Sequence, residues 1–240
     1  MSGGRDRGPD RGRRRGHSLH AFRAILAKDL RVELRTLQSV PAMALFGVTT
    51  FVLFRYGLDR TKLSGGLAAG VLLATVLFAA ILAINRLFVA ERDEGGFDAI
   101  RLAPVDGTAL GGAKAAALIV YLVVLEAITL PVFALFFLDS WAGLAPVAGV
   151  LALADVGLAA TGVLVSAIAA NSRARDLLVP LVLLPLLIPV MIAAANAAEP
   201  LLAAQGPAYG GIGKWVGVLA LYDMTFIAVG FAVYDFLLED

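Results

Sequence analysis

Six apolar runs, each close to or above twenty residues long, decide what this chain can fold into. They lie near Val40–Leu58, Gly65–Val89, Ala113–Leu138, Leu144–Ala170, Leu177–Ala197 and Trp215–Leu238. A helix needs roughly 20 apolar residues to cross the hydrocarbon of a bilayer. Backbone donors and acceptors in lipid must find partners inside the spanning structure, which leaves helices and closed barrels. Barrel strands alternate apolar and polar residues, and these runs do not. The expected fold class is therefore an all-α integral membrane protein with six transmembrane helices. Composition agrees, with 60% hydrophobic and 16% charged residues, where soluble domains carry roughly a quarter charged.

The residues before the first run divide in two. Residues 1–16, "MSGGRDRGPDRGRRRG", are rich in Gly and Arg and lack apolar periodicity. They have little surface to bury against the entropy of ordering, and read as a disordered basic tail. Residues 17–39 read as an amphipathic interfacial helix, because Leu19, Phe22, Leu26, Leu30, Leu34 and Leu37 recur at steps of three and four. Its other face carries Arg23, Lys28, Asp29, Arg31, Glu33 and Arg35. Such a helix sets its apolar side in the acyl boundary and its basic side on lipid phosphates; an ordinary helix packed on protein is the alternative. Residues 40–240 form the six-helix transmembrane domain.

The Lys and Arg positions orient the bundle, since cytoplasmic loops of membrane proteins carry an excess of both. Placing the N-terminus inside leaves all but Arg55, Arg60, Lys62 and Lys214 of the twenty Lys and Arg on the inner side. Six spans then return the C-terminus to the cytoplasm. The charged segment between runs two and three, "ERDEGGFDAIRLAPVDGTALGGAK", also becomes cytosolic. It extends the second span through Glu91, Arg92, Asp93 and Glu94, and breaks at Gly95-Gly96. A short helix then follows from about Phe97 to Ala103, which Pro104 ends. Asp106 or Thr108 can cap the helix into the third span. Phe97, Ile100 and Leu102 give this element an apolar face suited to a partner's groove, and a solvated loop is the plainer reading.

Several chemistries are excluded by what is missing. There is no cysteine, hence no disulfide, thiolate metal site or iron–sulfur cluster. No GxxxxGK[ST] phosphate loop, nucleophile elbow, zincin motif or catalytic carboxylate pair occurs. His17 and His20 have no companions to complete a metal site and read as solvated residues. No catalytic residues, bound cofactor, metal or nucleic-acid partner is expected, and any nucleotide hydrolysis belongs to another polypeptide.

Two features inside the runs stand out. Glu126, Asp155 and Asp223 are acidic residues at membrane depth, where a charge costs about 2.5–3.5 kcal/mol on insertion scales. They line a polar or proton-linked site, or make interhelical hydrogen bonds worth about 1 kcal/mol or less. The fifth run carries Pro180, Pro185 and Pro189, each of which removes a donor and disturbs the preceding turn, so a kinked and repeatedly broken helix is expected. Gly66 and Gly70 form a GxxxG pattern, a weak signal for close helix packing.

Two blocks resemble the haem-exporter permease of cytochrome c biogenesis, the CcmB family. They are "VAERDEGGFDAIRLAPVDGTALGGAKAAALIVYLVVLEAITLPVFALFF" and "GLAATGVLVSAIAANSRARDLLVPLVLLPLLIPVMIAA". The first joins a span to an acidic, Glu-Arg-rich segment and a Leu-Ala-Pro turn. The second joins an Asn-x-Arg connector to a proline-rich span. The resemblance covers about residues 20–238, and the Arg-rich tail and Asp155 lie outside its pattern. It implies an ABC-2-like permease bundle with both termini cytoplasmic in the cell inner membrane. It also implies an ABC ATPase subunit docked on Glu91, Arg92, Asp93, Glu94, Phe97, Ile100, Leu102 and Pro104. A second haem-handling membrane subunit and a periplasmic haem chaperone would complete the system, with haem as the transported or complex-bound ligand. A permease for drugs, lipids or glycans is the alternative, and an ATPase-independent proton-coupled carrier a more distant one.

Overall fold

In the computed structural model the described residues are 11–58, 62–93, 107–169 and 175–237. They form seven α-helices and one 3-10 turn: α1 Arg11–Thr36, α2 Ser39–Gly57, α3 Gly65–Asp93, α4 Gly107–Phe137, α5 Leu144–Ala169, α6 Arg175–Ala198, the turn Pro200–Leu202, and α7 Ile212–Leu237. No strand occurs among the described residues. Helices α2 to α7 carry the six segments long and apolar enough to cross a membrane, and they coincide with the six runs read from the sequence. The protein is an all-α integral membrane protein.

Helices α3 and α5 form the centre. α5 packs against α4, α6, α7 and α3, and α3 packs against α2, α4 and α6. Both are hydrophobic around most of their circumference because both are enclosed by other helices. α2 and α7 lie on the outside and leave many large apolar side chains exposed, Leu45 and Leu53 on one and Leu221 and Met224 on the other. In lipid this exposure needs no protein cover.

Phe51 of α2 and Phe133 and Phe137 of α4 form an aromatic triangle with ring centroids 5.4 to 6.1 Å apart. All three rings are fully buried. Tilted ring pairs of this kind add about 0.5–1.5 kcal/mol beyond the area they bury. The loops at this end are tied down too. The Leu63 amide donates to the Phe137 carbonyl at 2.9 Å, and Lys62 Nζ to the Leu138 carbonyl at 2.6 Å. Gly143 is pressed onto the Leu201 carbonyl, where any Cβ would collide with backbone.

Three sequence expectations change. α1 begins at Arg11, so part of the segment read as a disordered tail is helical: once residues 17–36 form a helix, extension through "RGRRRG" adds one hydrogen bond per residue. α6 stays one helix across Pro180, Pro185 and Pro189 rather than breaking there. Inside a bundle, neighbouring side chains can serve the carbonyls a proline disturbs. Gly70 has open space beside it and Gly66 faces the Glu199 carboxyl, so neither seats a neighbouring helix backbone.

Candidate functional site

The polar chemistry of the bundle gathers at three places, each built by a different set of helices. The first is the end next to residues 94–106. There α1 lies along α4. Phe22 covers Gly112, and Leu26 and Leu30 pack on the core. On a helix of 3.6 residues per turn Asp29 and Glu33 fall on the same side as Phe22 and Leu26, and both are buried. Asp29 forms an ion pair with Lys114 of α4 at 2.9 Å, and the Tyr121 hydroxyl donates to the Asp29 main-chain carbonyl at 3.2 Å. Lys114 is 3% exposed. This departs from the expected wheel, where Asp29 and Glu33 belonged to the solvated face and the apolar stripe to lipid. The stripe is divided: Phe22, Leu26 and Leu30 face protein, while Leu19, Leu34 and Leu37 are exposed.

The α1–α2 elbow is equally fixed. Glu33 Oε1 accepts the amides of Ser39 and Val40 at 2.8 and 2.9 Å, capping α2 with a carboxylate where the helix dipole favours one. Arg86 of α3 donates to the Gln38 carbonyl at 2.6 Å. Leu37 turns the chain at φ 48°, a left-handed conformation unusual for a branched residue. Thus α1, α2 and α4 are joined at one end by four buried or partly buried polar contacts, and α3 by the exposed Arg86 bond.

The second place is mid-bundle. Glu126 of α4 and Asp155 of α5 are neighbours across the helix pair. Glu126 is 5% and Asp155 0% exposed. Among the described residues no ion pair joins either to Lys or Arg. Two ionised carboxylates are acceptors only, so a bond between them requires a proton on one.

The third place lies on the other side of α5. Asp223 of α7 rests against Gly157, where a Cβ would stand 2.6 Å from its Oδ1. Positions 155 and 157 of a helix point in nearly opposite directions, so Asp223 does not join the Glu126–Asp155 pair. Beside it the Tyr222 hydroxyl donates to the Leu186 carbonyl at 2.9 Å, between Pro185 and Pro189. Having one proton, it accepts from the Thr161 hydroxyl at 3.0 Å. The three acids read together from the sequence are therefore a pair and a separate residue.

The remaining candidates fall at the edge of what is described. Glu91, Arg92 and Asp93 form the last residues of α3 in backbone, as the sequence suggested. Glu94, Phe97, Ile100, Leu102, Pro104 and Asp106 lie outside the described residues. Thr108 lies within the first turn of α4. Among the described residues no group of three or more His, Asp or Glu could hold a metal ion.

The sequence profile of the family described as "CcmB protein" matches residues 20–234. The chain belongs to that family. Two relatives are similar over most of the chain. "Heme exporter protein B" of Bradyrhizobium diazoefficiens is 29% identical over 181 residues, covering 75% of this chain and 81% of the relative. "Heme exporter protein B" of Rhodobacter capsulatus is 27% identical over 177 residues, covering 73% and 81%. The CcmB match spans α2 to α7 and most of α1, so the Asp29–Lys114 pair and all three buried acids lie within it.

Lys114, Asp29, Glu33 and Tyr222 were not singled out by the sequence reading as site residues. The signal was present for the first pair. Lys114 is a lone cation seven residues inside a 31-residue helix, and Asp29 and Glu33 continue the Phe22–Leu26 spacing. Nothing in the sequence announced that Tyr222 would reach the carbonyl of Leu186.

Proposed function

We propose that this chain is the transmembrane permease subunit of an ABC-type haem exporter acting in cytochrome c maturation, in the cell inner membrane with both termini cytoplasmic. The family match over residues 20–234, on a six-span bundle, carries this reading, and the printed names of both relatives agree with it. The chain has no phosphate-binding loop, so ATP hydrolysis is assigned to a separate subunit that grips the segment Glu91–Pro104. A second haem-handling membrane subunit and a periplasmic haem chaperone complete the path, with haem as cargo.

The contacts described above give this coupling a route. The segment joins the ends of α3 and α4. Within these ends Arg86 holds the α1–α2 elbow and Lys114 holds α1. A pull on the segment by closing ATPase subunits therefore moves α1, α3 and α4 together rather than bending one loop. None of the spans contains histidine, so axial ligation of haem within the bundle falls to other chains or does not occur.

The test is to replace Phe97 and Leu102 together by Asp in the assembled complex. Membrane insertion should persist, and co-purification of the ATPase subunit should fall by at least tenfold. Normal recovery of the ATPase would move the docking surface elsewhere.

A further inference from the structure

The buried ion pair fixes how α1 is rotated, and so decides what its opposite face presents. With Phe22, Leu26, Asp29 and Glu33 against the bundle, Ala24, Lys28, Arg31 and Arg35 lie on the far side, spaced four, three and four residues apart. They border a groove of about 370 Å³ whose flanks are Val32 and Leu34. Leu34 is 74% exposed. Lys28 leans toward Asp29 at 3.9 Å with its side chain 44% exposed. Two residues separate α1 from α2, the first membrane span. The groove therefore sits where the bilayer surface begins.

The geometry points to an anionic phospholipid as the occupant: its phosphate between Lys28, Arg31 and Arg35, its proximal acyl segment against Val32 and Leu34. Charge complementarity selects the headgroup. The exposed leucine beside the cations selects a ligand that is apolar a few ångströms from its phosphate. A soluble acidic protein would meet Leu34 without a hydrophobic counterpart, and free phosphate would leave it uncovered. Because the clamp to Lys114 prevents α1 from rolling, bound lipid would hold the α1–α4 unit at a fixed depth. This inference stands apart from the haem reading, since it needs neither cargo nor ATPase.

The purified full-length chain is titrated with dioleoylphosphatidylglycerol or dioleoylphosphatidylcholine, and retained lipid is counted by native mass spectrometry. Each cation near an anionic surface contributes about fivefold. The wild type should prefer the glycerol lipid by on the order of a hundredfold, and the triple variant Lys28→Gln, Arg31→Gln, Arg35→Gln should lose that preference. Lys214→Gln, which removes a cation stacked on Trp215 at the other end of the bundle, should keep it. High salt should weaken binding in the wild type and not in the triple variant. Equal retention of both lipids by the wild type overturns the proposal, as does a preference that survives in the triple variant. If the triple variant keeps its lipid preference but loses the ATPase subunit from the complex, the face belongs to a protein partner and the lipid site is wrong.

Discussion

Two buried acidic sites in this bundle solve the same problem in opposite ways. At the 94–106 end Asp29 meets Lys114 at 2.9 Å. In mid-bundle Asp155, fully buried, meets only another acid, Glu126. The first arrangement pairs opposite charges and loses its balance if either is removed. The second sets two acids side by side, where a hydrogen bond between them needs a proton on one. The first site joins a peripheral helix to a span. The second lies between two spans in the core.

The largest expected effect is at the ion pair. Lys114→Met removes the nearer and buried cation of Asp29 and leaves it Lys28 at 3.9 Å; breaking a buried pair by removing one partner costs about 3–5 kcal/mol. Thermal unfolding in detergent should drop sharply. Adding Asp29→Leu should recover much of the loss, because removing both charges is far milder than removing one. A Lys114→Met protein as stable as the wild type would abolish the contrast between the two sites.

The acid pair should respond more gently. Glu126→Gln retains a donor toward Asp155 and should cost about 1 kcal/mol or less, the usual worth of an interhelical hydrogen bond in membranes. Glu126→Leu leaves Asp155 without a partner and should cost more, about 1–3 kcal/mol. Unfolding of both variants against wild type measures the difference. Equal losses would mean that no hydrogen bond joins the two carboxyls.

The same contrast explains what could be read from the sequence. The spans were legible because twenty apolar residues have few alternatives in lipid, and their ends matched to within several residues. Glu126, Asp155 and Asp223 lie on spanning helices and are all buried. Their partnership was not legible. Helix periodicity gives the face of a residue on its own helix but not the register against its neighbour, so one sequence could not show that Glu126 meets Asp155 while Asp223 turns to Gly157. For α1 the stripe was drawn through Phe22 and the leucines alone. Asp29 and Glu33 share its side of the helix, and Lys114 inside an apolar run was the available hint that an acid would come to meet it. The prolines of α6 misled in the other direction, because their rule is local, whereas α6 is packed against α3, α5 and α7 and stays one helix.

The proposed coupling to an ATPase depends on the segment between α3 and α4 facing the cytoplasm. The chain has no cysteine, so a single Asp98→Cys substitution gives an unambiguous reporter. Membrane-impermeant maleimide should label it in inverted membrane vesicles and leave it unlabelled in intact cells. Labelling from outside intact cells would reverse the topology and contradict both the docking surface and the route through Lys114.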